Sequence, residues 1–566
     1  MFHVNFYITP PDPHCVKELI MKYVVQNAAK YGKANEKAVM GKVIAESPDL
    51  RGRAREVLEI VRQCIEEFES LNEEDRSRLI QKYSVDEGGR KEERKAGLPP
   101  LEKAEKGRVV MRFAPNPNGP PTLGSARGII VNGEYAKMYD GRFIIRFDDT
   151  DPRTKRPMLE AYEWYLEDIE WLGYRPDEVI YASKRIPIYY DYARKLIEMG
   201  KAYTCFCSQR EFKGYRDVGV ECPHRNVDPG KALEIWESML DGEYEEGEVV
   251  LRIKTDMKHK DPALRDWVAF RIIKESHPLT GDSYVVYPTL DFESAIEDHL
   301  CGITHIIRGK DLIDSERRQR FIYRYLGWEY PLTKHWGRVK IFEFGKLSTS
   351  SLRKDIESGK YEGWDDPRLP TIRAFRRRGF EAEAIRRFFI SLGVGENDVS
   401  VSLKNLYAEN RKIVDRKANR YFFVWQPVRV EIEGLPDEIE VELPLNPSEG
   451  TRRKLRGERI VYVTKDDFER LRGQIVRLKD FCNVVLDERA EFRGFELGEV
   501  KKGKNIIHWL PESEAVPCEV SGEESRDGLV ERGVASDVGK VVQFERFAFC
   551  RIEKAGEKIS AIYTHP

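Results

Sequence analysis

A strand, a proline-rich loop, a helix and a second strand follow one another from Val109, and this order restricts the fold more than any other feature. Residues 109–113 (VVMRF) and 143–147 (FIIRF) are short apolar runs. Between them lie the loop APNPNGPPTLG and a helical stretch from about Ser125 to Tyr139. Strands joined by a helix lie parallel in one sheet, so this region is predicted to begin a Rossmann-type α/β domain, which binds ligands at the carboxyl ends of its strands.

The chain is too long for one hydrophobic core, and its patterns change along its length. With 566 residues, several domains are expected. Helical spacing of apolar residues dominates up to about Tyr83, and period-two alternation dominates after Gln426. The predicted parts are a helical N-terminal domain (1–90), a linker (91–107), a Rossmann-type catalytic domain in two segments (108–204 and 284–345), an inserted subdomain (205–283), a helical basic region (346–425) and a β-barrel region (426–566).

Composition excludes several classes of protein. No apolar run is long enough to cross a bilayer, and the start, MFHVNFYITPPDPHC, lacks a basic stretch followed by an apolar core, so neither a membrane nor a secreted protein is expected. Nine cysteines in a chain of this length are too few for a disulfide framework, which favours a reducing compartment, the cytoplasm. The formal net charge of −2 argues neither for nor against a nucleic-acid partner.

Basic residues nevertheless form three groups in the second half of the chain. They either lie on solvated helix faces or bind the phosphates of a polyanion, and three groups within a near-neutral protein favour the second explanation. The groups are Arg376, Arg377, Arg378, Arg386 and Arg387; Arg411, Lys412, Arg416, Lys417 and Arg420; and Arg452, Arg453, Lys454 and Arg456.

The loop after the first strand has the features of an anion site. Gly119 and Gly124 let the backbone approach a ligand closely, while the prolines between them stiffen the loop. Ser125 stands where the helix opens, so its hydroxyl and the free N–H groups of the first turn face an incoming phosphate. The alternative is an ordinary strand-to-helix turn with a serine cap.

This loop resembles the first motif of class I aminoacyl-tRNA synthetases, in the form used by the glutamate and glutamine enzymes. That motif is Arg-Phe-x-Pro-x-Pro-x-Gly followed by His-Ile-Gly-His, and both of its histidines are replaced here by hydroxyl residues that donate hydrogen bonds but carry no charge. The residues that carry the match are Arg112, Phe113, Pro115, Pro117 and Gly119, with Thr122, Leu123, Gly124 and Ser125 at the histidine-motif positions. The resemblance implies ATP binding by Asn116, Pro117, Gly119, Thr122, Gly124 and Ser125.

Two further segments are similar to the same family and imply where the amino acid binds. In GRFIIRFDDTDP, Asp148 stands where the family places a carboxylate on the substrate ammonium group. In the segment that matches through Asp298, Gly302 and Thr304, Arg308 stands where the glutamate enzymes pair an arginine with the side-chain carboxylate of the substrate. Arg112 and Tyr287 complete the predicted glutamate-binding set; Leu290 stands where many bacterial members have a substrate-contacting tyrosine.

The second class I motif, Lys-Met-Ser-Lys-Ser, is represented by Lys346, Leu347, Ser348, Thr349 and Ser350. Thr349 replaces the second lysine, so Lys346 or Lys354 is left to supply positive charge to the reacting phosphates. The resemblance therefore implies Lys346, Ser348 and Ser350 as the catalytic residues, with Lys346 also contacting ATP, and Mg²⁺ as the accompanying cation.

Four soft ligands stand in two pairs within the predicted insertion. Cys205 and Cys207 form one pair, and Cys222 and His224 form the other. A cysteine pair and a cysteine–histidine pair on turn-rich loops can form a tetrahedral zinc site, which some glutamyl-tRNA synthetases carry in the insertion that holds the tRNA acceptor end. Free thiols beside a surface histidine are the alternative.

Taken together, the motifs are similar to glutamyl-tRNA synthetases of the archaeal and eukaryotic type, which carry a helical N-terminal extension and end in β-barrels. The resemblance implies an ATP-dependent ligase that forms glutamyl-adenylate and transfers glutamate to tRNA(Glu), acting as a monomer with an acceptor-binding insertion and an anticodon-binding β-barrel region. Whether tRNA(Gln) is a second acceptor stays open. Two alternatives remain: glutaminyl-tRNA synthetase, which lacks the arginine at position 308, and a catalytically silent tRNA-binding protein.

Overall fold

The structure is a computed structural model that describes residues 13–31, 34–72, 75, 76, 79, 83, 97–344, 349–436, 439–496, 505–523 and 525–566. The chain divides into two compact units, residues 1–96 and 97–566. Of the predicted site residues, Lys346 and Ser348 lie outside the described residues, and for Ser350 only the backbone is described. Among the described residues, no helix is long and apolar enough to cross a membrane.

The described residues of the first unit form helices, in the region where the apolar spacing predicts them. Its helices are α1 (Pro13–Tyr31), α2 (Glu36–Glu46) and α3 (Ala54–Ser70). Asn35 caps α2 by accepting a hydrogen bond from the backbone N–H of Ala38. On α3 the buried residues recur every three or four positions and pack against the other two helices; they are Val57, Val61, Cys64 and Phe68.

The second unit begins with the predicted parallel sheet. Strand β2 lies between β1 and β3 and is parallel to both. A helix connects β1 to β2, and alternate apolar residues of these two strands pack against that helix. The elements are β1 (Val110–Phe113), α4 (Leu123–Met138), β2 (Arg142–Phe147), α5 (Leu159–Trp171), β3 (Glu178–Tyr181) and α6 (Ile186–Glu198).

A four-stranded antiparallel sheet interrupts this α/β pattern. Its strands pair in the order β4–β5–β6–β7. The predicted insertion, 205–283, begins at the end of β4, includes β5 and β6, and ends just before β7. Its elements are β4 (Ala202–Cys205), α7 (Gln209–Val218), α8 (Pro229–Leu240), β5 (Val250–Ile253), β6 (Val268–Ile272) and β7 (Val286–Pro288).

The chain then returns to the first sheet. Strand β8 lies beside the start of β1, because the N–H of Thr304 donates to the carbonyl of Val110 and the N–H of Val110 donates to Thr304 Oγ1. The elements are α9 (Leu290–Leu300), β8 (His305–Gly309), α10 (Ile313–Leu326), β9 (Leu332–Trp336) and β10 (Val339–Ile341).

In its described part, the region that the sequence predicts as helical, 346–425, contains four helices between residues 349 and 417 and also three short strands, two of which belong to the β-rich region described below. A short strand, β11, pairs in parallel with β10, so the chain reaches back to the α/β region between two helices. The elements are α11 (Thr349–Glu357), α12 (Ile372–Arg377), α13 (Ala382–Leu392), β11 (Val399–Val401) and α14 (Leu403–Lys417).

The predicted β-rich region contains two seven-stranded sheets, each with its own hydrophobic core. The edge strands of one sheet, β12 and β13, are separated only by Phe422, so this sheet curls until its edges nearly meet. The elements are β12 (Arg420–Tyr421), β13 (Phe423–Trp425), β14 (Pro427–Glu433), β15 (Ile439–Asn446), β16 (Thr451–Gly457), β17 (Ile460–Thr464), α15 (Lys465–Leu471), β18 (Ile475–Leu478), β19 (Asn483–Val485), β20 (Arg489–Gly494), β21 (Ile506–Ile507), β22 (Leu510–Pro511), β23 (Ala515–Ser521), β24 (Arg526–Glu531), β25 (Val541–Phe544), β26 (Ala548–Lys554) and β27 (Ile559–His565).

Candidate active site

A cavity of 1540 Å³ lies between the parallel sheet and the antiparallel inserted sheet. Arg112 and Arg308 line it from the ends of β1 and β8, and Asp148 lines it from the residue after β2. The opposite wall includes Phe212 on α7 and Val268 on β6. Three of the four residues that the sequence predicts to bind an amino acid are therefore brought together where a doubly wound sheet receives its ligands.

A buried network of charges forms the floor of the cavity. Arg112 forms a bidentate pair with Asp298, with Nε to Oδ1 at 3.0 Å and Nη2 to Oδ2 at 3.2 Å. Arg146 donates to Asp298 Oδ1 at 2.7 Å and to Asp148 Oδ1 at 2.6 Å. Burial by itself would raise the pKa of Asp298, but Arg112 and Arg146 outweigh it and lower that pKa to about 2. The charge of Arg112 is thus already balanced inside the protein.

Arg308 differs from Arg112 because its close partners are uncharged. It is only 4% exposed. Its Nη1 donates to Gln319 Oε1 at 3.2 Å and its Nη2 donates to the Tyr330 hydroxyl at 2.9 Å. Its Nε is buried and has no hydrogen-bond partner among the described residues. A buried guanidinium with an unused donor and neutral hydrogen-bond partners is well suited to receive a carboxylate.

Tyr287 lies elsewhere. Its side chain is 0% exposed, packs in the core formed by the inserted sheet and its helices, and does not line the cavity. Leu290, at the position where the family has a tyrosine, does line the cavity and is 38% exposed. The structure therefore contradicts the prediction that Tyr287 contacts the amino acid at this cavity, because its side chain is enclosed in the core of the inserted sheet.

The loop between β1 and α4 is held in place by contacts at both ends. Thr122 caps α4 by accepting from the N–H of Ser125, and the two hydroxyl oxygens lie 3.3 Å apart. Asn116 Nδ2 donates to the carbonyl of Asp148 at 2.9 Å and lines the cavity. A Cβ on Gly119 would come within 2.4 Å of Thr349 and 3.1 Å of Trp364, so only glycine allows this loop to approach the start of α11 so closely.

Of the remaining residues assigned to ATP, Pro117 accepts a backbone hydrogen bond from Met158, and Gly124 lies in the first turn of α4, where Thr122 Oγ1 is 3.5 Å from the position of a Cβ. Among the described residues of this set, Asn116 alone lines the 1540 Å³ cavity. The hydroxyls of Thr122 and Ser125 thus lie at the positive end of a helix rather than in the amino-acid cavity.

The four predicted metal ligands converge. Their donor atoms all lie within 4.8 Å of one another. Cys205 Sγ is 3.9 Å from Cys222 Sγ and 4.0 Å from His224 Nδ1, and Cys207 Sγ is 3.4 Å from the same nitrogen. Two sulfurs bound to one tetrahedral zinc at about 2.3 Å would lie roughly 3.8 Å apart, so this set has the spacing that zinc requires.

Comparison with known proteins decides the family. Residues 108–416 match the family described as tRNA synthetases class I (E and Q), catalytic domain, and residues 418–498 match its anticodon-binding domain. The chain belongs to this class I synthetase family. It is 79% identical over 551 residues to the glutamate–tRNA ligase of Archaeoglobus fulgidus, covering 97% of this chain and 100% of that protein. It is 56% identical to the glutamate–tRNA ligase of Methanosarcina mazei, covering 98% and 99% of the two chains.

Three residues that line or support the cavity of this synthetase escape sequence reasoning. Glu293 is 1% exposed and accepts from Thr150 Oγ1 at 3.0 Å, while its other oxygen lies 3.9 Å from Arg146 Nε and has no hydrogen-bond partner among the described residues. Burial, together with the neighbouring Asp148 carboxylate, raises its pKa well above the usual range. Gln319 and Tyr330 are the other two. Glu293 and Gln319 each lie on a helix that carries several other charged residues. The sequence alone therefore does not indicate that either residue lines the cavity.

The basic groups of this synthetase are partly structural, which corrects the prediction that they bind a polyanion. Arg377 forms a bidentate pair with Glu553. Arg378 is 2% exposed and donates to the carbonyl of Thr564 at 2.6 Å. Arg453 is buried against Glu531 at 2.8 and 2.9 Å. The prediction is wrong for these three arginines, because their guanidinium groups are bound within the protein. Arg453 stabilises the β-rich region, and Arg377 and Arg378 connect that region to α12.

Proposed function

We propose that this protein is a glutamate–tRNA ligase that uses ATP to attach L-glutamate to tRNA(Glu). The observation that carries the proposal is the near-complete alignment, at 79% identity, with a relative that bears this name. The cavity supports it, since Arg308 offers a buried, unneutralised guanidinium to the side-chain carboxylate of glutamate. Glutamine would leave that charge without a counterion, so the glutaminyl alternative is not favoured.

The amino acid is oriented by charge at both ends. Arg308 binds the γ-carboxylate and Asp148 receives the α-ammonium group. Arg112 acts through Asp298, which it holds ionised, and it therefore positions the floor of the cavity rather than pairing with the substrate. So placed, the α-carboxylate of glutamate attacks the α-phosphate of ATP and pyrophosphate leaves. The terminal ribose hydroxyl of the tRNA then attacks the acyl carbon of the adenylate, its proton is lost, and AMP leaves.

ATP is assigned to the loop before α4 and to the segment that precedes α11. Asn116, Pro117, Gly119, Thr122, Gly124 and Ser125 would hold it, with the first-turn N–H groups of α4 facing its phosphates. Lys346, Ser348 and Ser350 would stabilise the charge that develops on the transferring phosphate, and Lys346 stands in for the lysine that Thr349 replaces. Mg²⁺ supplies further positive charge to the phosphates when it is bound.

The tRNA is assigned to two regions. The insertion, 205–283, would hold the acceptor end, because residues of α7 share the cavity with the amino-acid site. The β-rich region, 426–566, would hold the anticodon end, in keeping with its match to an anticodon-binding domain. We propose that the enzyme acts as a monomer in the cytoplasm; the eight cysteines that the structure describes form no disulfide, in keeping with a reducing compartment.

Charging assays test the function. Purified protein with ATP and tRNA(Glu) should esterify glutamate with a kcat/KM at least ~100-fold above that for glutamine, because a site built around a buried arginine rejects a neutral analogue. The same assay with tRNA(Gln) decides whether that tRNA is a second acceptor. A preference for glutamine would establish the glutaminyl alternative, and no aminoacylation with either amino acid would establish a silent tRNA-binding protein.

We also propose that Cys205, Cys207, Cys222 and His224 hold one zinc ion that shapes the insertion. The support is the convergence of four donors within 4.8 Å from two loops that flank α7. A bound zinc would tie these loops together and so fix the helix that lines the cavity.

Elemental analysis of the purified protein should give about one zinc per chain, and Cys205→Ser should lower that content. The variant should raise the KM for tRNA more than the KM for ATP, since the cluster lies in the insertion. Cys301→Ser is the control, because Cys301 is a free cysteine outside the cluster and its loss should leave the zinc content unchanged. A fully active, metal-free preparation would exclude the site.

A further inference from the structure

Arg308 has no carboxylate within hydrogen-bond distance, in contrast to three other arginines at or beneath the cavity. Arg112 and Arg146 both pair with Asp298, and Arg318 donates to Asp291 at 2.6 Å. Arg308 instead donates to one amide oxygen and one hydroxyl. Its nearest carboxylate oxygen, Glu316 Oε2, is 3.8 Å from Nη2, which is beyond hydrogen-bond distance.

Glu316 is engaged with other groups. Its Oε1 accepts from Arg320 Nε at 2.8 Å, and its Oε2 lies 3.3 Å from His335 Nε2. Burial lowers the pKa of His335, so this imidazole is neutral at neutral pH and adds no charge to the group. The negative charge of Glu316 is therefore balanced mainly by Arg320 and interacts only weakly with Arg308, which keeps most of its positive charge for a ligand.

The neutral partners of Arg308 also hold one another. The Tyr330 hydroxyl donates to Gln319 Oε1 at 2.6 Å, so this oxygen accepts from both Tyr330 and Arg308. Burial raises the pKa of Tyr330 to about 12, which keeps the hydroxyl neutral. Gln319 is 1% exposed and lines the cavity. The pair thus fixes the guanidinium plane without neutralising it, and leaves the buried Nε unused.

We propose that Gln319, supported by Tyr330, is a specificity-determining positioning residue: it orients Arg308 through an uncharged acceptor and so reserves the arginine's charge for the side-chain carboxylate of the substrate. This inference rests on the proposed function and extends it to residues that touch Arg308 rather than the amino acid. A carboxylate at position 319 would have the same size and reach but would satisfy Arg308 internally, in competition with the substrate. The enzyme therefore needs an uncharged amide at position 319 in order to prefer glutamate over glutamine.

Gln319→Glu tests the charge, and Gln319→Met is the matched control that removes the acceptor without adding charge. Gln319→Glu should lower kcat/KM for glutamate by about 10- to 100-fold, mainly through KM, because the substrate carboxylate must displace an internal one. Its kcat/KM for glutamine should change less than about 3-fold. Gln319→Met should slow both substrates alike and keep the preference for glutamate. Tyr330→Phe should behave like Gln319→Met.

The measurement is tRNA charging with each amino acid, alongside thermal unfolding of every variant. Two results would contradict the inference when wild type prefers glutamate. In one, Gln319→Glu keeps the full preference for glutamate; in the other, Gln319→Met loses as much of that preference as Gln319→Glu does. Either result would mean that Gln319 serves packing alone. If wild type does not use glutamate at all, the proposed function itself fails.

Glu316→Gln provides a second test if Gln319→Glu does not fold. It removes the nearest carboxylate from Arg308 without burying a new charge, since Glu316 is only partly buried. The ratio of kcat/KM for glutamate over glutamine should widen by about 2- to 5-fold. A ratio that stays constant or narrows would contradict the inference.

Discussion

Arg308→Ala should lower kcat/KM for glutamate by roughly 10²- to 10³-fold, because removing one member of a buried charge pair costs ~3–5 kcal/mol and each factor of ten corresponds to about 1.4 kcal/mol. Glutamine carries no charge at its side-chain amide and should lose much less. The variant should therefore narrow the difference between the two amino acids while it becomes slower. Charging assays with each amino acid at saturating ATP and tRNA measure both effects.

Arg318→Ala is the matched control for this experiment. Arg318 lines the same cavity, but it already donates to Asp291 and to the carbonyl of Ala263. Its removal should affect both amino acids alike, since its charge is balanced within the protein. If Arg308→Ala leaves the glutamate preference intact while Arg318→Ala abolishes it, the side-chain carboxylate is recognised by Arg318, and the assignment of Arg308 is wrong.

Asp298→Asn should destabilise the folded protein by ~3–5 kcal/mol, because it leaves two buried arginines without their shared carboxylate. Asp298 is 1% exposed and contacts both Arg112 and Arg146. The expected fall in the melting temperature of the α/β region is on the order of 10 °C. Calorimetry of the variant and the wild type measures the difference.

Asp191→Asn is the control, since Asp191 pairs with Arg194 at 2.9 Å while remaining 74% exposed, and surface pairs contribute at most ~1 kcal/mol. The pH dependence supplies a second check. The folded-state pKa of Asp298 is lowered to about 2, below its value in the unfolded chain, so its contribution to stability is present above about pH 4 and is lost as the pH falls toward 2. A variant as stable as the wild type at neutral pH would show that the two arginines find other counterions.

Local patterns in the sequence determined the elements of this fold. The β1–α4–β2 unit follows from two apolar runs that are separated by a loop and one helical stretch. The C-terminal strands follow from the alternation of polar and apolar residues with a period of two. The spacing of Cys205, Cys207, Cys222 and His224 indicated the cluster because its two pairs lie on loops at either end of one short helix. Such features were predictable because the interacting residues are close together in the chain.

Charge balance was decided only by the tertiary structure. Arg112 and Arg308 look equivalent in the sequence, yet Asp298, which neutralises the first, is 186 positions away. From the sequence, Arg453 is predicted to belong to a basic surface. In the structure it pairs with Glu531, which is 78 positions away in the chain. A carboxylate within 3 Å of a guanidinium cancels its charge, whereas an amide at the same distance leaves that charge available, and no sequence pattern states which of them the fold will place there. The sequence therefore indicated Arg112, Asp148 and Arg308 at the cavity of this synthetase. The tertiary structure added Glu293 and Gln319, and it decided which of the cavity's charges remain for a substrate.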